Sequence, residues 1–526
     1  MCTLKVHWGL TSITLMANSL SHTLYTAEQV RQLDYNAIHQ QGIAGYTLME
    51  RAGKATFRLL RQYCEQWFGK ESFHLQVLCG SGNNAGDGFI VAGLAKQKGI
   101  EVEVIAVGDP GKLKGDALTA YQWCQAQSVS ITPWQENLQL TADVFVDALL
   151  GTGLKGPVRE TYASVIEQLN STYKPVIAVD IPSGLCADTG TVLGVAVKAR
   201  STITFIGRKR GLYTHHGCEL TGEVHFADLA VPELVYHTTP CNSYLLDPSR
   251  YLTCLPERYK NSHKGAFGHL VLIGGDHSMG GAITMAAEAA LHAGVGLVSV
   301  VTRPEQVGGL QARCPEIMVI GCDNPGQIPR LLIGKSALVI GPGLGQSRWS
   351  RECLLAAIDS GLPLVLDADG LNLLAVEPTL LEQKKSDWLL TPHPGEAARL
   401  LGVSSQQIQQ NRFASVEQLA SQYQSTAVLK GAGSLVCAKG LIQLANVGNP
   451  GMAVGGMGDV LSGLLGALIA QGLSTAEAAG LGTWLHSYSA DQLVKLVGGY
   501  FGLRATELIP LIRKQINQMA VKSKYG

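Results

Sequence analysis

Asp147, Asp180 and Asp459 each stand where an apolar run meets a cluster of glycines. Carboxylates placed there can move protons or gather with other oxygens around a cation. Asp147 closes Val144-Phe-Val-Asp147 and leads into Gly151-Thr152-Gly153-Leu154-Lys155-Gly156-Pro157, a flexible segment suited to anions. Asp180 closes Val176-Ile-Ala-Val-Asp180 and leads into Ile181-Pro182-Ser183-Gly184. Between the apolar run Leu75–Cys79 and a helical pattern lies a third turn, containing Gly82, Asn83, Asn84, Ala85, Gly86 and Asp87. Glycines let backbone N–H groups at a helix N-terminus approach a phosphate. One such turn is weak evidence, because a tight strand-to-helix connection looks the same. One aspartate alone also reads as a helix N-cap. Two strand-end carboxylates converging with an amide side chain are harder to explain that way.

The C-terminal half carries the sharper signal, Asn449-Pro-Gly-Met-Ala453 followed by Gly455-Gly-Met-Gly458-Asp459-Val-Leu-Ser-Gly463. Bare N–H groups at the start of the following helix form an anion hole for a transferring phosphoryl group. Asp459 is placed to take a proton from a substrate hydroxyl. Capping alone does not require so many glycines. Lys430-Gly431-Ala432-Gly433-Ser434 follows another strand and could hold nucleotide phosphates. In Thr391-Pro-His393-Pro-Gly-Glu396 the prolines favour an extended loop that aims His393 and Glu396, although a loop histidine held by backbone bonds would look alike. Met279-Gly-Gly-Ala282 and Gly341-Pro-Gly-Leu-Gly345 would let a planar ring lie against the backbone, or serve packing only. Asp367-Ala-Asp369 is a further strand-end carboxylate pair.

These clusters must be held by regular elements. Helical patterns run from Glu28 to Ile38 and from Leu48 to Leu60; strands and helices then alternate, which predicts a parallel α/β sheet. Ligands in such sheets bind beyond the carboxyl ends of the strands, where the clusters sit. Residues 232–262, with Pro232, Pro240, Pro248 and Pro256, show little periodicity and mark a domain boundary. A second α/β series starts at His269-Leu-Val-Leu-Ile273. No short-period repeat is visible.

The chain has 526 residues, enough for two domains with full cores. Only 16% of residues are charged, against roughly 25% in an ordinary globular domain. The 41 basic and 41 acidic residues balance, and no basic stripe suggests a nucleic-acid partner. The 12 cysteines form no C-x-x-C pair and suit a reducing cytoplasm. The apolar patch Leu10–Met16 is short for a signal peptide, and Met16 is a candidate start. Val460–Leu473 is too short to span a bilayer and reads as a buried helix, so a soluble protein with no membrane partner is expected.

Leu48-Met-Glu-Arg-Ala-Gly53, the Gly-Asn-Asn turn, Val146-Asp-Ala-Leu-Leu-Gly-Thr-Gly153 and Asp180-Ile-Pro-Ser-Gly184 resemble the NAD(P)H-hydrate epimerase family, in the family's order, over residues 24–235. The resemblance implies a Rossmann-like three-layer sandwich, substrate phosphates on Asn83 to Asp87 and on Gly151 to Pro157, potassium on Asn84, Asp147 and Ser183, and acid/base work by Asp180. Ser81 and Ala85 depart from the proline and glycine usual there, and Ala85 bears on turn geometry. Residues 250–515 are similar to ADP-dependent NAD(P)H-hydrate dehydratases, which implies a ribokinase-like α/β fold. That resemblance puts Lys430 to Ser434 and Gly458 on the nucleotide, and Ala282, Gly345, His393 and Asp459 on the hydrated dinucleotide, with magnesium accompanying ADP. A homo-oligomer acting on hydrated NADH, hydrated NADPH and ADP is the expectation. The rival reading is a kinase for a vitamin precursor or sugar, with the N-terminal half a binding module, since related folds use a similar helix start. It differs in product: a phosphorylated compound instead of a reduced nicotinamide and free phosphate.

Overall fold

The computed structural model describes residues 22–69 and 73–525; the candidate start Met16 and the patch Leu10–Met16 lie outside the described residues. The chain divides into two compact units between Ser243 and Tyr244, within the stretch 232–262.

The N-terminal unit is built on seven parallel strands in the order Ser130–Pro133, Glu101–Ala106, His74–Cys79, Val144–Ala148, Val176–Val179, Ser201–Phe205 and Glu223–Ala227. Counted along the chain this is 3-2-1-4-5-6-7, a Rossmann-like winding whose direction reverses between the first and fourth strands. Helices cover both faces, giving three layers. Gly45–Phe68, Asn83–Gln97 and Gly115–Ala126 bury Leu60, Phe89, Ile90 and Ala120 against Val77 and Val146 on one side. Glu160–Ser171 buries Val165 and Ile166 against Leu78, Phe145 and Val176 on the other. At the switch point Cys79 lies beside Ala148, so the turn after Gly80 and the loop after Leu149 become neighbours.

The C-terminal unit repeats the principle. Seven parallel strands run Met318–Gly321, Leu297–Thr302, His269–Ile273, Ala337–Ile340, Leu364–Leu366, Trp388–Leu390 and Thr426–Leu429, continued by the antiparallel hairpin Leu435–Ala438 and Leu441–Leu444. Their near-continuous apolar residues fit a sheet covered on both faces. Met457–Ala470 is buried from Val460 to Ala470, as its apolar run predicts, and packs beside Gly280–His292. The two helices approach so closely that a Cβ on Gly463 would stand 1.9 Å from the Ala286 carbonyl oxygen. Gly463→Ala therefore forces these backbones apart, and we expect a loss of about 1–3 kcal/mol. A denaturant titration checks this; an unchanged unfolding midpoint would contradict the packing. No described helix is long and apolar enough to cross a membrane.

Candidate functional site

The N-terminal switch point opens into a cavity of about 780 Å³. Its lining includes Ser81 to Asn84, Asp87, Leu149 to Lys155, Pro157 and Asp180. The structure thus brings together three of the predicted clusters. The helix Asn83–Gln97 starts without a side-chain cap, so its first N–H groups face the cavity edge. Gly151 to Pro157 form an irregular, largely exposed loop in which Gly156 has φ +75°. Arg31, Lys155 and Arg159 add positive charge to the lining.

Asp147 is buried under this loop. Its carboxylate accepts from the Ser183 N–H at 2.8 Å, the Ser183 hydroxyl at 2.6 Å and the Leu149 N–H at 3.2 Å. Burial pushes its pKa up to about 6, against the pull of those bonds. The Ser183 hydroxyl also lies 3.2 Å from the Leu150 carbonyl, which takes a longer 3.4 Å bond from the Asn84 amide. Asn84, Asp147, Leu150 and Ser183 therefore form one knot of mostly oxygen atoms.

Asp180 lies one residue past its strand, in the left-handed region at φ +66°, instead of continuing it to the end. Such backbone is costly for a residue with a Cβ and is kept where the surroundings hold it. Here the holder is Lys209, which sequence reading missed. Its ammonium group donates to Asp180 Oδ1 and, at 3.0 Å, to the Thr204 hydroxyl. In Gly207-Arg-Lys-Arg-Gly211 it looks like a surface turn, yet its side chain is 1% exposed. Asp34 and Asp87 share the cavity with it. Burial pushes the Asp34 pKa up to about 6, and burial with the charges of Asp180 and Asp34 pushes that of Asp87 well above the carboxylate range.

The C-terminal cluster also forms at the carboxyl edge of its sheet. Asp367, just after its strand, is buried; it accepts from the Lys430 ammonium at 2.8 Å and the Ser462 hydroxyl at 2.6 Å. Desolvation opposes its ionisation, but Lys430 and the hydroxyls of Ser462 and Thr391 hold its pKa below the usual range. Glu396 lies 3.7 Å from the same ammonium group. Gly458 sits against it; a Cβ there would be 3.2 Å from Lys430 Nζ. Asp459 is the third residue of its helix, whose N-cap is Gly456, so capping does not account for it. Burial and the charges of Asp367 and Glu396 push its pKa up to about 7, against the pull of Lys430. A carboxylate with that proton affinity suits a general base near neutral pH.

The remaining predicted residues surround this cluster. His393 is itself the N-cap of the short helix Pro394–Leu401, accepting from the Gly395 N–H at 3.0 Å and standing 3.2 Å from Glu396. The extended loop expected from the two prolines ends at once, because Pro394 takes the first helical position, which needs no N–H. The Lys430 side chain turns toward Asp367, leaving Gly431 to Ser434 to present backbone, and the buried Arg412 holds the carbonyls of Leu429, Lys430 and Gly433. Gly345 donates its N–H to Asp369 at 2.9 Å, which explains the second carboxylate of that pair. Ala282, in the first turn of its helix, packs near Gly343. Among the described residues no group of three His, Cys, Asp or Glu side chains is arranged for a metal ion.

Each half thus presents a buried carboxylate, a paired lysine and an uncapped helix start at a sheet's carboxyl edge, the mark of an enzyme with two α/β sites. Residues 270–514 match the family model described as NAD(P)H-hydrate dehydratase, and residues 45–211 that described as YjeF-related protein N-terminus. A bifunctional NAD(P)H-hydrate repair enzyme of Coxiella burnetii is 43% identical over 495 residues, spanning 94% of this chain and 99% of its own length. Its Escherichia coli counterpart is 41% identical over 507 residues, with 95% of each chain covered. A crystal structure of ADP/ATP-dependent NAD(P)H-hydrate dehydratase from Bacillus subtilis, co-crystallized with ATP/Mg2+, aligns with 25% identity and a TM-score of 0.47, over 52% of this chain and 98% of that one. The chain belongs to the family of bifunctional NAD(P)H-hydrate repair enzymes.

Proposed function

We infer that the chain repairs hydrated NADH and NADPH, interconverting their two epimers in its N-terminal unit and dehydrating one of them in its C-terminal unit. The observation that carries this reading is the pairing, in one chain matched along nearly its whole length by repair enzymes, of the Asp180 cavity with the Asp459–Lys430–Asp367 cluster.

Water added across the enamine double bond of a reduced nicotinamide leaves a hydroxyl on the carbon beside the ring nitrogen. Epimerisation breaks that C–O bond, the oxygen leaving as water with a proton from an acid; the nitrogen lone pair stabilises the cation. Water then adds to the opposite face and yields a proton to a base, so no proton is gained or lost overall. Asp180 suits the base. The N–H groups of Asn83 and Asn84, with the segment from Gly151 to Pro157, suit the substrate's phosphates, and Arg31, Lys155 and Arg159 favour their charge. The oxygens of Asn84, Asp147, Leu150 and Ser183 suit a hard monovalent cation, and potassium bound there would keep the two loops in register.

Dehydration needs a better leaving group than hydroxide. Asp459 removes the proton of the ring hydroxyl, whose oxygen attacks the terminal phosphoryl group of the nucleotide. Phosphate then departs with its C–O electron pair, and loss of a proton from the neighbouring ring carbon to phosphate or water re-forms the double bond. The N–H groups beginning the helix Met457–Ala470 face the charge that develops in transfer. We assign Gly431 to Ser434 and Gly458 to ADP, and Ala282, Gly345 and His393 to the hydrated ring. Magnesium, when bound with the nucleotide, would neutralise phosphate charge, and it needs few protein ligands because phosphates and water supply most of them. The 11 free thiols among the described residues suit a reducing compartment, the cytoplasm.

The test is to add the protein, potassium, magnesium and ADP to a mixture of both hydrated NADH epimers and to follow the near-ultraviolet absorbance of NADH. Full conversion is expected; no rise with either ADP or ATP would return the kinase alternative. Dehydration of the pure substrate epimer should also fall about tenfold per pH unit below about 7, where Asp459 becomes protonated, and level off above it. A rate that is flat from pH 5 to pH 8 would remove Asp459 as the base.

A further inference from the structure

The ammonium group of Lys209 has three N–H donors and three acceptors: Asp180 Oδ1, the Thr204 hydroxyl at 3.0 Å and the Phe205 carbonyl at 3.3 Å. Its hydrogen bonds are thus saturated within the wall of the cavity. Every hydrogen bond found for the Asp180 carboxylate among the described residues falls on Oδ1, which also accepts from the Phe205 N–H at 3.3 Å and the Thr204 hydroxyl at 3.4 Å. Oδ2 is left for a ligand, and the Asp180 side chain is 17% exposed. Asp34, on the helix Ala27–Tyr35, and Asp87, on the helix Asn83–Gln97, line the same cavity, and neither carboxyl has a hydrogen-bond partner among the described residues. Arg31, Asp116, Lys155 and Arg159 are the other charged groups of the lining.

Three carboxyl groups thus meet one buried ammonium group, which can neutralise one of them. We propose that Lys209 is the positioning residue of the epimerase site: it anchors Asp180 by one oxygen as the ionised base and leaves the protons of the cluster on Asp34 and Asp87. Epimerisation needs an acid on the face the oxygen leaves and a base on the opposite face, where the water enters, and a cluster of three equivalent acids would not guarantee both. Desolvation acts in the same sense on Asp34 and Asp87. This deepens the epimerase reading and rests on it.

The experiment uses the full chain without nucleotide, so that dehydration is silent, and resolves the two epimers of hydrated NADH by chromatography as they equilibrate. In Lys209→Met the acidic limb of kcat/KM should move to higher pH by about 1–3 pH units, because a carboxylate that loses its cation holds its proton more tightly. The loss should fall on kcat more than on KM, and Lys209→Arg should restore part of it. A rate lowered equally at every pH, with no gain from arginine, would make Lys209 a structural residue only and overturn the proposal. If the methionine variant lacks the N-terminal unfolding transition, Lys209→Gln, which can keep a bond to Thr204, takes its place with the same two outcomes. Asp180→Asn is the separate check: an unchanged rate there would fail the epimerase assignment itself, whatever Lys209 does.

Discussion

Replacing Asp459 with asparagine should lower the rate of dehydration by about 10²–10⁴-fold, the usual contribution of a positioned general base. The substitution keeps shape and removes only the capacity to take a proton. It also removes a negative charge from a crowded cluster, since Asp367 and Glu396 are the charges that raise the Asp459 pKa. Lys430 remains paired with Asp367 at 2.8 Å, so the cluster should hold its form. The loss should therefore appear in kcat, with nucleotide affinity little changed, and epimerisation by the same chain should be untouched. Single-turnover appearance of NADH from the pure substrate epimer measures it. A rate close to that of the parent would mean that another group takes the hydroxyl proton, and the cluster would need a different account.

Replacing Asp180 with asparagine should stop enzymatic epimerisation to a similar degree, about 10²–10⁴-fold, while dehydration continues. With a mixture of both epimers the reaction then stalls once the substrate epimer is used, leaving the other to convert at its uncatalysed rate. The amide can still accept from Phe205 and Thr204, so the strained backbone at φ +66° keeps most of its support. The buried Lys209, however, loses its countercharge. The unfolding midpoint should therefore fall as well, because an unpaired buried cation is costly. Unfolding and epimerisation should be measured on the same preparation, so that loss of fold is told apart from loss of chemistry. Full conversion of the mixture by this variant at the parent's pace would place the epimerase chemistry elsewhere.

Much of the architecture was legible in one dimension. Apolar runs such as Val144-Phe-Val and His269-Leu-Val-Leu-Ile273 are strands because both faces of a parallel sheet are buried, and their alternation with helices follows from the crossover that parallel strands need. The glycine clusters mark strand ends because backbone meets backbone there: a Cβ on Gly80 would stand 2.0 Å from the Leu149 carbonyl oxygen, and one on Gly341 1.8 Å from that of Asp367. Boundaries moved by a residue or two: Asp180 and Asp367 lie past their strands, and the helix after the glycines starts at Met457. Asp459 stood out in the sequence as a candidate base because its glycine-rich neighbours suit an anion hole.

What sequence alone determined, then, is the elements and the residues that act through their own neighbours: the N–H groups of a helix start, the turn at Asn83 and Asn84, the carboxylates at strand ends. These depend on local geometry, which a run of adjacent residues specifies. What only the tertiary structure decided is how those groups are paired and charged. Lys209 is 29 residues from Asp180, Lys430 is 63 from Asp367, and Ser462 is 95 from Asp367. Nothing beside any of them in sequence announces its partner. Proton affinity depends on burial and on charges within a few ångströms, and both are properties of the packed core, set when distant segments come together.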